Sequence, residues 1–377
     1  MKFLCERDAF KDALGFAGAR ARNPRIAIPI LKHVLLEADR DRLTLTGHDL
    51  DSAARVSIPA EIREGGVCTI PGEHLSRLVG ALPAGAQVQV ETESGGATVK
   101  GGRARYRLPV LSADEFPPML APENPQTFEI AAKDVKRLFS APRHVASTGA
   151  ARHYLNGVYL HSVKEGLAVC GTDGFSLIRL VHPCDVELDP GIIVPSDAVD
   201  DIVALAGQGT LRFSFSNRIL SVEGETHSFA TKLVEATFPD YSRIVPPAQC
   251  PGMLVDCAEM LAAVRRLGFL ASHEKDVVDA IDLSWTDSPS EIKATIRSSD
   301  GSAGQELIAC EGDGAGQGNI SFKPEIIARL LSAVDAEMLR LFVIDQGTPM
   351  RLTDPNDSGF VAMQAAYQSK TANQEAA

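Results

Sequence analysis

The feature that most constrains the fold of this chain is an internal repeat. Gly47 and Gly171 lie 124 residues apart, inside the similar stretches LTLTGHDLDSAARVSI and LAVCGTDGFSLIRLVH. Pro71 and Pro195 are also 124 residues apart, each just ahead of a helical pattern, and a Phe-Pro pair recurs after 122 residues. These coincident offsets predict two copies of one domain, because unrelated segments have no reason to keep a common spacing.

Each copy combines helical and strand patterns. Apolar residues recur at helical spacing in IPGEHLSRLVGALP and VPSDAVDDIVALAG, and ISFKPEIIARLLSAV gives a weaker third match. Alternating stretches follow them, AQVQVET, TLRFSFS and MLRLFVI, as is typical of strands with one buried face. We expect a further helix to open each copy, in ERDAFKDALGFAG, AAKDVKRLFSA and CAEMLAAVRRLGFL. The sequence therefore predicts an α+β unit of helix, strands, helix and strands, about 120 residues long and present three times.

Proline-rich stretches mark the borders of these units. PPMLAPENPQTF and IVPPAQCPGM have the composition of linkers. We therefore expect domains over residues 1–120, 128–246 and 252–367, followed by a polar, disordered tail over 368–377.

Composition and motifs exclude several classes of protein. No apolar run approaches the roughly 20 residues of a membrane helix, and the charged N-terminus MKFLCERDAF does not read as a signal peptide. We therefore expect a cytoplasmic protein without membrane contact. The seven cysteines form no C-x-x-C pair and the nine histidines lack metal-ligand spacing, so neither a metal nor a cofactor is expected. Catalysis is not expected either, since the nucleotide-binding, hydrolase and zinc-protease motifs are absent.

The net charge of −12 argues against a protein that grips nucleic acid over its whole surface. The predicted opening helices nevertheless carry basic residues, among them Lys136 and Arg137 in the second copy. Two interpretations stand: the helices have ordinary solvated faces, or three copies turn these charges toward a common axis and create a positive lining.

The order and spacing of several motifs extend over nearly the whole chain. They are MKF at the start, IPIL, LTLTGHDL, YLNG, GTDG, IVP, KLVEATFPDYSRIVP and FVAM near the end. In these the chain resembles the bacterial beta sliding clamp family, the processivity subunits of the replicative DNA polymerase.

The resemblance implies a fold and partners. The fold would be α+β, with three tandem copies of a DNA-clamp domain and a head-to-tail homodimer that forms a ring of six domains. Helices would line the central hole and double-stranded DNA would pass through it, held without sequence preference. The replicative polymerase subunit, the clamp loader and other proteins with a clamp-binding motif would dock on the ring.

The resemblance also implies a partner-peptide pocket. Matched motif by motif, it comprises Leu155, Thr172, Gly174, Phe175, Ser176, Leu177, Pro239, Arg243, Ile244, Val361 and Met363. Taken singly, each apolar member is equally compatible with a place in an ordinary core. Three features depart from the family pattern: Phe175-Ser176 where relatives have a basic or polar pair, Gln364 where they have proline, and the tail. We therefore expect altered peptide specificity.

Other contacts follow from the same resemblance. The expected DNA-binding residues are Arg25, Lys136, Arg137, Gly149 and Arg152. The expected dimer interface packs Phe269 and Leu270 of one chain against Tyr106 and Leu108 of the other, unless these are core residues of their own chain.

One alternative function remains at this point. The altered pocket and the tail would also suit a clamp-like paralogue that acts as a regulatory interaction protein. Peptide binding and native mass would distinguish it from a working clamp.

Overall fold

The computed structural model describes residues 1–23, 26–93, 95–207, 209–246, 252–271, 279–286, 289–312 and 317–367. The predicted disordered tail lies outside these ranges. Within them the α-helices are α1 (Arg7–Phe16), α2 (Gly72–Ala81), α3 (Ala132–Val145), α4 (Ser196–Ala204), α5 (Cys257–Gly268) and α6 (Pro324–Ser332). The strands are β1 (Lys2–Glu6), β2 (His33–Asp39), β3 (Arg42–His48), β4 (Ser52–Pro59), β5 (Glu61–Glu64), β6 (Gly66–Pro71), β7 (Gln87–Glu93), β8 (Gly96–Gly101), β9 (Ala104–Leu108), β10 (Gln126–Ala131), β11 (Gly157–Val163), β12 (Gly166–Thr172), β13 (Ser176–His182), β14 (Ile192–Pro195), β15 (Thr210–Phe215), β16 (Ile219–Glu223), β17 (His227–Lys232), β18 (Met253–Asp256), β19 (Ile281–Trp285), β20 (Glu291–Arg297), β21 (Ala303–Gly312), β22 (Gly318–Phe322), β23 (Met338–Phe342), β24 (Met350–Asp354) and β25 (Asp357–Gln364).

The order of these elements repeats three times. Each copy runs strand, helix, three strands, strand, helix, three strands, and the first copy adds the short β5. The predicted α+β repeat is therefore confirmed, including its weaker third copy. The expectation that each copy opens with a helix is wrong, because β1, β10 and β18 come first. These strands are only 5, 6 and 4 residues long, too short for a clear alternating pattern.

The first compact unit comprises Met1–Val135 and Asp200–Leu233. It holds a five-stranded sheet, ordered β5-β1-β7-β8-β9, and an eight-stranded sheet, ordered β10-β15-β16-β17-β4-β3-β2-β6. The eight-stranded sheet joins two copies of the repeat, because β17 of the second copy pairs antiparallel with β4 of the first, placing Phe229 opposite Ala54.

The second compact unit comprises Lys136–Val199 and Val234–Ala377. Its described strands form one twelve-stranded sheet, ordered β14-β11-β12-β13-β25-β24-β23-β18-β21-β20-β19-β22. Here β13 of the second copy pairs antiparallel with β25 of the third, so that Leu177 lies opposite Met363. Both units thus use the same junction. The third strand after a copy's first helix, β4 or β13, pairs with the last strand of the next copy, β17 or β25.

The repeated glycines explain part of the repeat. A methyl group on Gly47 would come within 1.9 Å of the carbonyl oxygen of Ala17, and one on Gly171 would come equally close to that of Pro142. In each unit, backbone at or just past the end of the copy's first helix therefore lies directly on the strand: Ala17 follows α1, and Pro142 lies in the last turn of α3. Only glycine permits so close an approach.

Helix packing follows the predicted apolar stripes. In α2, Leu75 and Val79 are buried, and in α6 the buried residues include Ile327 and Leu330. None of the helices in the described part of the chain is long and apolar enough to cross a membrane.

Candidate partner-binding and assembly sites

Strand alternation places the candidate pocket on one face of the twelve-stranded sheet. Side chains of directly paired residues, and of residues two apart on one strand, share a face. One row of partners across the sheet is Tyr159, Cys170, Arg179, Val361 and Thr353. The adjacent row on the same face is Thr172, Leu177, Met363 and Arg351.

An apolar cluster forms the floor of this face. Its buried members are Leu155, Cys170, Leu177, Ile193, Phe238, Tyr241 and Met363. Three of the predicted pocket residues, Leu155, Leu177 and Met363, therefore lie together, but they are almost wholly buried. They lie beneath the candidate pocket instead of forming its open surface.

A tight turn between β12 and β13 forms one edge of the site. The carboxylate of Asp173 accepts hydrogen bonds from the backbone N–H groups of Phe175 (2.8 Å) and Ser176 (2.7 Å). Gly174 has a φ of +91°, a conformation that favours glycine, and its N–H donates to the hydroxyl of Thr172 at 3.0 Å. The turn holds the Phe175 ring outward, 51% exposed, with the guanidinium of Arg152 5.9 Å from the ring centroid.

Two departures from the family pattern are structurally linked. Ser176 lies directly opposite Gln364 in the sheet. Its hydroxyl donates to Gln364 Oε1 at 2.8 Å, and the two residues are 0% and 2% exposed. Gln364 Nε2 also donates to the carbonyl oxygens of Phe175 and Ala365, both at 3.3 Å. Ser176 and Gln364 thus stabilise the strand pairing beneath the rim and are not themselves open to a ligand.

Beside the floor is an open groove of about 650 Å³. The ring of Tyr159 stacks between those of Phe238, at 4.6 Å, and His161, at 4.8 Å between centroids. Pro239 and Val361, both predicted pocket residues, line the groove together with Arg179 and Arg351. The groove therefore combines an aromatic wall with two guanidinium groups.

A hydrogen-bond chain fixes the polar side of the groove. His161 Nδ1 lies 3.1 Å from the carbonyl of Ser162, which can only accept, so Nδ1 carries the proton. His161 Nε2 then accepts from the hydroxyl of Tyr241 at 2.8 Å. Burial lowers the pKa of His161 and raises the pKa of Tyr241, so both stay neutral near pH 7, and the positive charge of Arg179 partly opposes the rise in the pKa of Tyr241.

The remaining predicted pocket residues lie at the rim or below it. Ile244 and Arg243 are exposed, Arg243 is paired with Asp240 at 2.9 Å, and Thr172 is buried under the turn. The sequence interpretation missed the aromatic stack, Arg179 and Arg351. A usable signal existed for Arg179, which interrupts the apolar run of SLIRLVH, but not for Arg351, whose strand MRLTD also contains Thr and Asp.

The predicted DNA-binding residues have different surroundings. Arg25 lies outside the described residues. Lys136 and Gly149 are exposed. Arg137 forms an ion pair with Asp357, and Arg152 donates to the carbonyl of Asp173 at 3.2 Å.

The predicted interface residues lie in an edge strand and just after a helix. Tyr106 and Leu108 belong to β9, the last strand of the five-stranded sheet; Tyr106 is exposed, whereas Leu108 is 9% exposed and packs into the core of its own unit. Phe269, just after α5, is 81% exposed, and Leu270 is half-buried. Over 303–309, β21 pairs with β20 alone among the described strands, which leaves its other edge open.

Comparisons with known proteins agree with this architecture. The family model of the DNA polymerase III beta subunit N-terminal domain matches residues 1–120, and the central-domain model of the same subunit matches 129–240. The beta sliding clamp of Caulobacter vibrioides (strain NA1000 / CB15N) is 29% identical over 372 residues, 95% of this chain and 97% of that protein. The beta sliding clamp of Escherichia coli (strain K12) is 27% identical over 360 residues, 94% of this chain and 96% of that protein.

Solved structures show the same fold. The structure titled "Caulobacter crescentus pol III beta" has a TM-score of 0.86 at 28% identity, covering 98% of this chain and 100% of that one. A sliding clamp from Pseudomonas aeruginosa bound to griselimycin has a TM-score of 0.90 and the same coverage at 22% identity, a likeness that concerns the fold alone. The chain belongs to the DNA polymerase III beta subunit family, the beta sliding clamps, as a divergent member.

Proposed function

We propose that this protein is a DNA sliding clamp, the processivity factor of a replicative DNA polymerase. Two chains close head to tail into a ring of six domains around duplex DNA, in the cytoplasm, and the ring tethers polymerases and other partners without catalysing a reaction. The three domains of each chain span residues 1–120, 128–246 and 252–367. The alternative, a regulatory paralogue, is not favoured, since the relatives named beta sliding clamp match nearly the whole chain.

The observation that carries the proposal is the rule of strand pairing between copies. The first copy's β4 pairs with β17, the last strand of the second copy, and the second copy's β13 pairs with β25, the last strand of the third. By the same rule, β21 of the third copy would pair with the last strand of a first copy, which is β9. A second chain placed head to tail supplies it, and a heterologous contact repeated in this way closes into a ring when the rotation permits.

Exposed apolar residues at these edges support the same assembly. Leu307 is exposed on β21 itself, Phe269 is exposed at the end of α5, and Tyr106 is exposed on β9. An open strand edge with apolar neighbours is a ready template for pairing with another chain. Leu108 supports this interface from within its own domain.

DNA would be held by topology and by weak phosphate contacts. The candidate residues are Arg25, Lys136, Arg137, Gly149 and Arg152. Because phosphate attraction does not depend on sequence and weakens with salt, such contacts allow a ring to slide. The ion pair between Arg137 and Asp357 moderates one of these charges.

Partners would dock in the groove on the twelve-stranded sheet. Apolar side chains of a short peptide fit the stack of Tyr159 and Phe238, the floor at Leu155 and Met363 provides support, and the exposed Phe175 ring forms the rim. Concave apolar surfaces with a few polar groups are typical of such sites.

Native mass spectrometry tests the assembly. At micromolar concentration the wild type is expected at twice the 40.2 kDa mass of the chain, and Phe269→Ala is expected to shift it toward monomer. Phe175→Ala is the matched control, since it also removes an exposed ring but lies on the pocket rim, and it should remain dimeric. A wild type that is monomeric at every concentration would overturn the ring.

A further inference from the structure

We propose that the groove selects partner peptides carrying an acidic side chain, with the carboxylate bound by Arg179 beside the apolar docking residues. The inference rests on the proposed peptide-docking function and adds a recognition element to it. Two guanidinium groups, of Arg179 and Arg351, line the same apolar groove.

Arg179 lies in the same groove as Tyr241, whose hydroxyl donates to His161. The positive charge of Arg179 partly opposes the rise that burial causes in the pKa of Tyr241. The Nε atom of Arg179 is buried and has no hydrogen-bond partner among the residues that the structure describes. Because that atom is closed to solvent, a carboxylate in the groove would pair with the guanidinium through its Nη atoms, in a charge-assisted hydrogen bond stronger than one between neutral groups.

The charges around the groove favour an anion. Arg351 is anchored by a 2.7 Å hydrogen bond from Nη1 to the carbonyl of Pro246. Among the described lining residues Asp240 is the one carboxylate, and it already accepts from Ser242 and pairs with Arg243. Burial favours the neutral form of His161. The described lining residues therefore carry two guanidinium groups and one carboxylate, an excess of positive charge.

Strand register sets where the acid would lie in the peptide. Arg179 is the direct cross-strand partner of Val361, and such partners have Cβ atoms about 5 Å apart. An extended peptide advances about 3.3 Å per residue. The acidic residue should therefore be one or two positions from the apolar residue that contacts Val361.

The test begins with a library of random octapeptides displayed on phage and selected on the full-length wild-type protein. Enriched peptides are then synthesised with a fluorescein label, each with its acid replaced by the matching amide, and dissociation constants are measured by fluorescence anisotropy. We expect enriched peptides to combine apolar residues with an Asp or Glu at a fixed spacing. The acid form should bind about tenfold more tightly than the amide form, an advantage that salt reduces.

Variants assign the effect to Arg179. Arg179→Gln should weaken the acid peptide about tenfold and leave the amide peptide unchanged. Arg179→Lys should keep part of the preference, since it retains the charge. Arg297→Gln, on an exposed part of β20 outside the groove, is the matched control and should change neither peptide.

The outcomes separate the two proposals. Apolar peptides that bind with no preference between acid and amide would overturn this inference and leave peptide docking intact. Equal weakening of both peptides by Arg179→Gln would also overturn it, because the residue would then act only on structure. If the library yields no binder, both the acid preference and the docking function fail.

Discussion

The buried pair of Ser176 and Gln364 gives a prediction that can be worked through quantitatively. In Ser176→Ala, Gln364 Oε1 loses its 2.8 Å donor at a site closed to water. An unsatisfied buried acceptor costs about 1–3 kcal/mol, and we expect about 2 kcal/mol here. In Gln364→Leu, the hydroxyl of Ser176 and the carbonyl of Ala365 lose this partner, at a similar cost, whereas the carbonyl of Phe175 still accepts from the backbone N–H of Ala365 at 2.7 Å.

The double variant isolates the pair. With both side chains replaced, the cost should fall below the sum of the single costs by about 1 kcal/mol, because each single change leaves the same hydrogen bond broken. Differential scanning calorimetry measures the effect: for a cooperative unit of about 200 residues, 2 kcal/mol corresponds to a fall in Tm of about 4–8 °C. Ser284→Ala, on the half-exposed face of β19, should change stability by less than about 0.5 kcal/mol. Additive costs, or a neutral Ser176→Ala, would refute the proposed coupling.

Three further predictions follow from other parts of the structure. Gly171→Ala should lower the free energy of unfolding by about 3 kcal/mol or more, because its methyl group would meet a carbonyl oxygen at 1.9 Å. Gly207→Ala is the control and should be tolerated, since its methyl group would have its nearest neighbour at 4.0 Å. Equal midpoints of urea unfolding in the two variants would contradict this. Burial lowers the pKa of His161, so its neutral form stabilises the fold above the unfolded pKa of about 6.5, and this stabilisation is lost as the pH falls below that value. The free energy of unfolding, measured by urea titration, should therefore fall less between about pH 7.5 and 5.5 in His161→Gln than in wild type. An equal fall in both proteins would exclude the effect. Asp357→Asn releases Arg137 from its ion pair, so low-salt DNA affinity in gel shifts should rise, with a steeper salt dependence, and no change would place Arg137 away from DNA.

The repeat was predictable because similar short sequence patterns recur at a constant offset. The 124-residue offset of Gly47 and Gly171 corresponds to a backbone contact that only glycine allows in both units. The helices were predictable from apolar spacing. The opening strands β1, β10 and β18 were not, because so few residues form them that their alternation has no statistical weight.

The arrangement of the candidate pocket was only partly predictable, because its main contacts join residues that are distant in sequence. Ser176 and Gln364 are 188 residues apart, and neither pattern suggests the other. Arg179 and Arg351 meet in one groove through the pairing of β13 with β25 and of β25 with β24. Periodicity indicates that a strand is buried on one face, but it does not specify which strand lies beside it.

The most direct test of the central claim is retention on DNA of defined topology. The protein is loaded by a clamp loader onto nicked circular DNA, which is then linearised, in salt high enough to weaken phosphate contacts. A closed ring predicts retention on the circle and loss after linearisation, since the ring slides off the ends. Equal retention on circular and linear DNA, or no retention on either together with a monomeric native mass, would contradict the sliding-clamp account.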